Sequence, residues 1–247
     1  MTATPTRIDG SVPSAEQKGE LVRDMFTRIA PTYVITNSLL TFGIDRRWRR
    51  QAVRALDAGG KGHVLDLCAG TLDLTLVLLA HGSSRVEAVD FSEGMLRMGR
   101  PRLPPDAPVD TTWGDAQDLP CASGVFDAAV CGFGLRNVAD NARALREVHR
   151  VLRPGARFAV LEFFRPERWF ERAFHAVFNR AVLPLVGGLV SGDRAAYSYL
   201  ANSMQAYMNR PTFEALAADN GFRVLSADRL FPPVASLVVL ERSGATP

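Results

Sequence analysis

One stretch limits the folds open to this chain more than any other: His63-Val64-Leu65-Asp66-Leu67-Cys68-Ala69-Gly70-Thr71-Leu72-Asp73. Val64 to Leu67 is a short apolar run of the kind that forms a fully buried strand. A turn of small residues follows, and Asp73 to Leu79 then reads as a helix. A strand passing directly into a helix opens a parallel α/β sheet. Backbone N–H groups and the positive helix end face a nucleotide-like ligand there, and small residues let it come close. Arg85 to Asp90 supplies the next strand and ends in a carboxylate. Asp90 stands 24 positions after Asp66, near the ~20-residue spacing at which an acid reaches a ribose diol, and an acid there speaks against a 2′-phosphate. The turn has one glycine, Gly70, where a dinucleotide site asks for G-x-G-x-x-G. An ordinary strand–helix turn with no ligand is the competing reading.

The rest of the chain repeats the alternation. Ser92 caps a helix carrying Met95, Leu96 and Met98, and a proline-rich loop from Pro101 leads to a short strand, Val109 to Trp113. Val125 to Cys131 is a strand, Asn141 to Leu152 a helix stopped by Arg153-Pro154-Gly155, and Arg157 to Phe163 another apolar strand. Such alternation predicts a parallel sheet with helices on both faces. Ala195 to Met208 and Thr212 to Asn220 are further helices. Phe222 to Leu230 and Val234 to Glu241 close the domain as a strand pair around Pro232-Pro233. With 247 residues and 47% hydrophobic content, the chain can bury a large core.

Ahead of the first strand, residues 1–14 are polar and proline-containing, with no apolar signal-peptide core, and read as a flexible tail. Glu16 to Ala30 reads as an amphipathic helix. A second runs from Asp45, as N-cap, to about Leu56, with Ile44, Trp48, Ala52 and Leu56 on its inner face. Arg46, Arg47, Arg49, Arg50 and Arg54 make it basic: a solvated face or a contact with anionic lipid. The formal charge of +3 is too weak to imply nucleic acid. Three cysteines without a C-x-x-C point to a reducing cytosol, and four scattered histidines give no metal-ligand spacing. Trp169 to Val190 is apolar but broken by charges; its uninterrupted part, Ala181 to Val190, falls short of the ~18 residues that suggest a membrane span. It reads as a helix over the sheet edge or a lid.

The turn, with its pattern of acid, x, small, small, Gly, Thr, x, Asp and a distant strand-end acid, resembles the S-adenosylmethionine (SAM) site of class I methyltransferases. Several stretches together are similar to one family, the C-methyltransferases of ubiquinone and menaquinone biosynthesis. They are Tyr33 to Trp48 (YVITNSLLTFGIDRRW), Phe133 to Val138 (FGLRNV), Arg150 to Glu162 (RVLRPGARFAVLE), and Tyr197 to Leu200 with Gly221-Phe222. The resemblance implies a Rossmann-like α/β fold, a mostly parallel seven-stranded sheet ending in an antiparallel hairpin. It divides the chain into the tail (1–14), an N-terminal helical cap (15–60) and a SAM-dependent methyltransferase domain (61–247) with a helical lid at about 165–195. The cofactor implied is SAM, without a metal. The acceptor is a polyprenylated quinol: demethylmenaquinol, giving menaquinol, or 2-polyprenyl-6-methoxy-1,4-benzoquinol.

The implied cofactor contacts are Gly70, Thr71 and Gly132 in the turns and Asp90 on the ribose. Asp66 orients the turn or the ligand's amine. Asp115 and the Ala116 N–H reach the adenine, with Phe91 and Met95 packed on its face. For catalysis, Arg136 is expected to stabilise a phenolate and Asn137 to orient the quinol or a proton-accepting water. Asp73 and Tyr33 are the candidates for the proton relay. Leu39, Leu40, Phe42 and Ala181 to Val190 would form a channel for the prenyl tail. A cytoplasmic protein touching the membrane surface peripherally fits this acceptor, and a homodimer is compatible with it. Cys68 is expected to be a small packing residue, since C-methylation needs no covalent intermediate.

The chain also departs from the family pattern. Ala69-Gly70-Thr71-Leu72-Asp73 stands where Gly-Gly-Thr-Gly-Asp is usual, so Leu72 should crowd the methionine portion of SAM and weaken its binding, unless the side chain turns into the sheet–helix interface. Val34 replaces an Asp, Asp45 a His, and Gly132 a Ser whose hydroxyl would have met SAM.

Overall fold

The computed structural model describes residues 43–169, 172 and 202–244. The tail, the Glu16–Ala30 helix, Tyr33, Leu39, Leu40, Phe42, Ala181 to Val190 and Tyr197 to Leu200 lie outside the described residues.

The first described helix is α1 (Asp45–Ala55), followed by a 3-10 turn at Asp57–Lys61. The elements β1 (His63–Leu67), α2 (Asp73–His81), β2 (Arg85–Asp90), α3 (Glu93–Gly99), β3 (Val109–Trp113) and β4 (Phe126–Gly132) come next. The chain continues through α4 (Asn141–Val151), β5 (Leu152–Glu162), α5 (Arg210–Asp219), β6 (Phe222–Arg229) and β7 (Ser236–Arg242). The strands form one seven-stranded sheet in the order β3-β2-β1-β4-β5-β7-β6. The first five are mutually parallel, while β7 runs antiparallel to both β5 and β6. This is the mostly parallel sheet with a closing hairpin that the alternation predicts.

Strand periodicity sorts the core into two layers, because successive side chains leave a strand on opposite faces. Trp48, Ala52, Val53 and Leu56 of α1, with Leu74 and Leu78 of α2, cover Val64, Val86, Ala128, Val130, Ala159 and Leu161. Ala144, Leu145 and Val148 of α4, with Phe213 and Ala217 of α5, cover Leu65, Leu67, Ala129, Cys131, Phe158 and Val160 on the other face. Helix starts follow local chemistry: the side chains of Ser92, Asp140 and Asn209 accept from backbone N–H groups three residues on, opening α3, α4 and α5.

Three local readings are corrected. Asp45 does not cap α1: Ile44 before it is already helical, and the Asp45 side chain turns to Arg49. Arg153-Pro154-Gly155 does not separate α4 from β5. The register shifts between Phe126 and Ala128, and that bulge takes up the proline together with Gly155 in a left-handed conformation. Nor do all five arginines of α1 share the solvent face. Arg46, Arg47, Arg50 and Arg54 are exposed, whereas Arg49 is only 7% exposed.

Trp48 is the anchor of α1. It is 1% exposed, its Nε1 donates to the Phe231 carbonyl at 3.1 Å, and its ring lies 6.4 Å from that of Phe133. Replacing it by alanine is expected to cost about 3–5 kcal/mol of stability, read as a lower urea midpoint with an unchanged slope.

Candidate active site

Between β1 and β4 the chain turns to opposite faces. It leaves β1 for α2 on one face and β4 for α4 on the other, so neither α2 nor α4 crosses the carboxyl ends of these two strands. Such a switch point is where open α/β sheets bind ligands. Both turns bordering it are strained. After β1, Cys68, Gly70 and Leu72 have φ of 56°, 54° and 65°, and after β4, Phe133 has φ of 62°. A left-handed residue other than glycine costs roughly 1–2 kcal/mol, and such strain gathers at functional sites.

Leu72 settles one of the departures. Its side chain is fully buried, packed with Ala69, Ala88 and Leu96 between β2 and α3. The expected crowding of the ligand is therefore corrected: the side chain has turned into the sheet–helix interface, as its left-handed backbone directs. Gly132 reads similarly. A Cβ there would lie 2.7 Å from Leu74 Cδ1 and 3.7 Å from Arg49 Nη1, so the space of the family's serine is bordered by a leucine and a guanidinium.

Two carboxylates stand at the ends of β1 and β2. Asp90 accepts from the Gly70 N–H at 2.8 Å through Oδ2 and from the Ser92 N–H at 2.7 Å through Oδ1. It thus holds the first turn and the entry to α3 together, and each oxygen keeps a further lone pair for a ribose hydroxyl. Burial raises its pKa to about 6, against the pull of those two N–H groups. Asp66 is fully buried. Its Oδ2 accepts from Thr75 Oγ1 at 2.6 Å, and its Oδ1 has no hydrogen-bond partner. Burial raises its pKa to about 7, opposed by the Thr75 bond and the Arg49 charge. An orphaned buried acceptor beside the turn is what the ammonium of a SAM molecule would need, and the residues fit that cofactor.

The remaining predicted contacts are engaged locally. Thr71, 2% exposed, donates its hydroxyl to Asp73 Oδ2 at 2.8 Å, and Arg102 pairs with Asp73 Oδ1 at 2.7 Å while donating to the Thr71 carbonyl. Together they clamp the start of α2. Asp115 accepts from the Gln117 N–H at 2.9 Å, beside buried Ala116. The half-buried Phe91 offers its carbonyl to Trp113 Nε1 at 3.0 Å, and Met95 is buried below the turn. Gly70 is free of backbone crowding, with Met95 Cε 3.5 Å from where its Cβ would be.

At the end of β4, Arg136 is 6% exposed and forms an ion pair with Glu162 of β5 at 2.9 Å. Its guanidinium also donates to the Phe133 carbonyl, and its backbone N–H to Glu162 Oε2 at 3.2 Å. The half-buried Asn137 follows it in a 3-10 turn. Four side chains then alternate: Arg49 lies 5.6 Å from the Phe133 ring, Phe133 stacks on Phe163 at 4.4 Å, and Arg136 lies 5.6 Å from Phe163. Sequence reasoning missed Glu162, Arg102 and the inward turn of Arg49. A carboxylate at the end of an apolar strand was the one available signal, for Glu162. The Cys131 thiol and burial push the Cys68 thiol up, the state of an unreactive cysteine. Among the described residues no group of histidines, cysteines or carboxylates could hold a metal, and no helix is long and apolar enough to cross a membrane.

Fold and site together define a SAM-dependent class I methyltransferase. A solved SAM-dependent methyltransferase from Mesorhizobium loti has the same fold, with a TM-score of 0.58 at 21% identity over 80% of this chain and 98% of that one. Residues 13–237 match the ubiE/COQ5 methyltransferase family, and the chain belongs to it. The ubiquinone/menaquinone biosynthesis C-methyltransferase UbiE of Syntrophotalea carbinolica is 42% identical over 83% of this chain and 87% of its own length. The demethylmenaquinone methyltransferase of Thermus thermophilus is 42% identical over 81% and 92%.

Two predictions follow from this geometry. Leu72→Gly should leave SAM affinity within a few-fold in calorimetry. It should lower stability, since about 2–5 kcal/mol of packing is lost against about 1–2 kcal/mol of relieved backbone strain. The second concerns pH. A cationic ligand selects ionised carboxylates, so binding must draw protons off Asp66 and Asp90 below their values of about 7 and 6. Affinity should rise by roughly one to two orders of magnitude from acid to neutral pH, with proton release visible in buffers of different ionisation enthalpy, and Asp66→Asn should flatten the upper part of the curve.

Proposed function

We propose that the protein transfers a methyl group from SAM to a ring carbon of demethylmenaquinol, giving menaquinol. What carries the reading is its likeness, over four-fifths of its length, to relatives named for this step. The paired acids of a site suited to a cationic donor support it. The relative from Syntrophotalea is named for both quinone pathways, so 2-polyprenyl-6-methoxy-1,4-benzoquinol stands as a second acceptor to assay.

When bound, SAM supplies an electrophilic methyl group on a sulfonium. The chain's share is to hold a ring carbon in line with it, about 3–3.5 Å away, and to favour the phenolate that makes that carbon nucleophilic. Arg136 carries a permanent charge in a fixed fork, and Glu162 fixes its direction. In this reading it faces the acceptor, since the donor is itself cationic and would be repelled by a guanidinium serving it alone. Asn137 orients the quinol hydroxyl or a water that takes its proton. Asp73, held by Thr71 and Arg102, and Tyr33 share the relay. On the cofactor side, Asp90 serves the ribose, Thr71 and Gly70 shape the turn, Asp115 and Ala116 serve the adenine, and Gly132 borders the amino-acid end.

The test is turnover of the purified protein with SAM and a short-chain demethylmenaquinone reduced in situ, followed by mass spectrometry. A C-methylated quinone is expected. SAM binding without methyl transfer to either quinol would overturn the reading in favour of another acceptor or a non-catalytic role. Arg136→Ala strands a buried Glu162 and is expected to cost about 3–5 kcal/mol of stability, so Arg136→Lys is the more informative variant. It keeps a charge against Glu162 but loses the fork. Turnover should fall roughly 10²–10³-fold with SAM affinity changed only a few-fold.

A further inference from the structure

The arginine that α1 buries is not explained by helix stability. Arg49 is 7% exposed, and among the described residues the one carboxylate that meets it is Asp45, through Nε at 3.4 Å. That is long for a charge-assisted bond, which normally falls near 2.7–2.9 Å. No acceptor among the described residues meets its Nη atoms. A buried guanidinium so weakly paired is costly, and the exposed position of Arg50 lies one residue further along α1.

Its surroundings say where it points. Nη1 lies 3.7 Å from the position of a Cβ on Gly132, Cζ lies 5.6 Å from the Phe133 ring, and its charge acts on Asp66 across the crevice. Asp66, with Oδ1 buried and unpartnered, is the opposite pole. The end of the crevice over β1 and β4 therefore presents one carboxyl oxygen without a partner and one loosely paired guanidinium, and the two are not bonded to each other. That is a receptor for a zwitterion.

We propose that Arg49 is an anion subsite that receives the carboxylate of the cofactor's amino-acid end, while Asp66 receives the ammonium. This rests on the reading of SAM as the cofactor. The family's serine hydroxyl is absent at Gly132, and the guanidinium borders the space it would have filled. Arg49 reaches the crevice because Trp48, its neighbour, is pinned to the Phe231 carbonyl. The α1 helix, packed on one face of the sheet, thus brings a guanidinium to the end of β4.

The test is calorimetry of the full chain with four probes: SAM, S-adenosylhomocysteine, decarboxylated SAM and 5′-methylthioadenosine. The last two lack the carboxylate. Arg49→Gln should weaken SAM and S-adenosylhomocysteine by roughly 10- to 100-fold, the range of a hydrogen bond to a charged group, and leave the other two within about threefold. Arg49→Lys should restore part of the loss, which separates a charge effect from damage to α1. Equal weakening of all four probes would overturn the proposal in favour of a structural role. Unchanged SAM affinity with a slower quinol reaction would overturn it in favour of a contact with the acceptor. If the wild-type chain binds none of the probes, the cofactor reading falls and the proposal with it.

Discussion

The site depends on one topological constraint. The parallel neighbours β1 and β4 send their connections to opposite faces, and the crevice over them exists because neither α2 nor α4 bridges it. Residues of functional interest stand along its rim: Asp66 and the first turn on β1, Asp90 on the neighbouring strand, Gly132 and Phe133 at the end of β4, Glu162 at the end of β5. A parallel sheet puts all carboxyl ends on one edge, so residues nearly a hundred positions apart converge without any local sequence signal.

Charge is arranged along that edge at a cost to the ligand-free fold. Asp66 and Asp90 are held in surroundings that favour their neutral forms, at about 7 and 6. For a carboxyl whose folded value lies above the unfolded one, stability is fully present below the unfolded pKa and declines as pH rises through the folded value. A cationic ligand reverses that penalty. The opposite case is Arg136 with Glu162, an ion pair within the fold that sets the guanidinium's direction. Two arginines thus flank the stacked pair Phe133 and Phe163, one committed to a carboxylate within the fold and one left with room for another.

The leucine that departs from the family's turn is accommodated by backbone conformation. At φ of 65°, Leu72 aims its side chain between β2 and α3, where burial offsets the strain that glycine would have avoided. The neighbouring left-handed Cys68 and Gly70 turn the chain so that the Gly70 N–H meets Asp90. The leucine packs between sheet and helix, so its side chain takes no space on the crevice side of the turn.

The residues that could be read in advance were those whose role is local. Alternating apolar runs and small-residue turns determined the strands, the helices, the closing hairpin and the place of the first turn, since burial on both faces and turn chemistry act over a few residues. The spacing from Asp66 to Asp90 carried the expectation of a ribose-binding acid. Tertiary structure alone decided that Arg49 leaves the basic face of α1, that Arg136 is bound to Glu162, that Asp73 is clamped by Arg102, and that Leu72 turns into the sheet–helix interface. Each of these is a choice between partners far apart in the chain, and a charged or apolar side chain takes whichever partner the packed sheet brings within a few ångströms. Local pattern constrains secondary structure; burial and long-range pairing determine which of its side chains face the site.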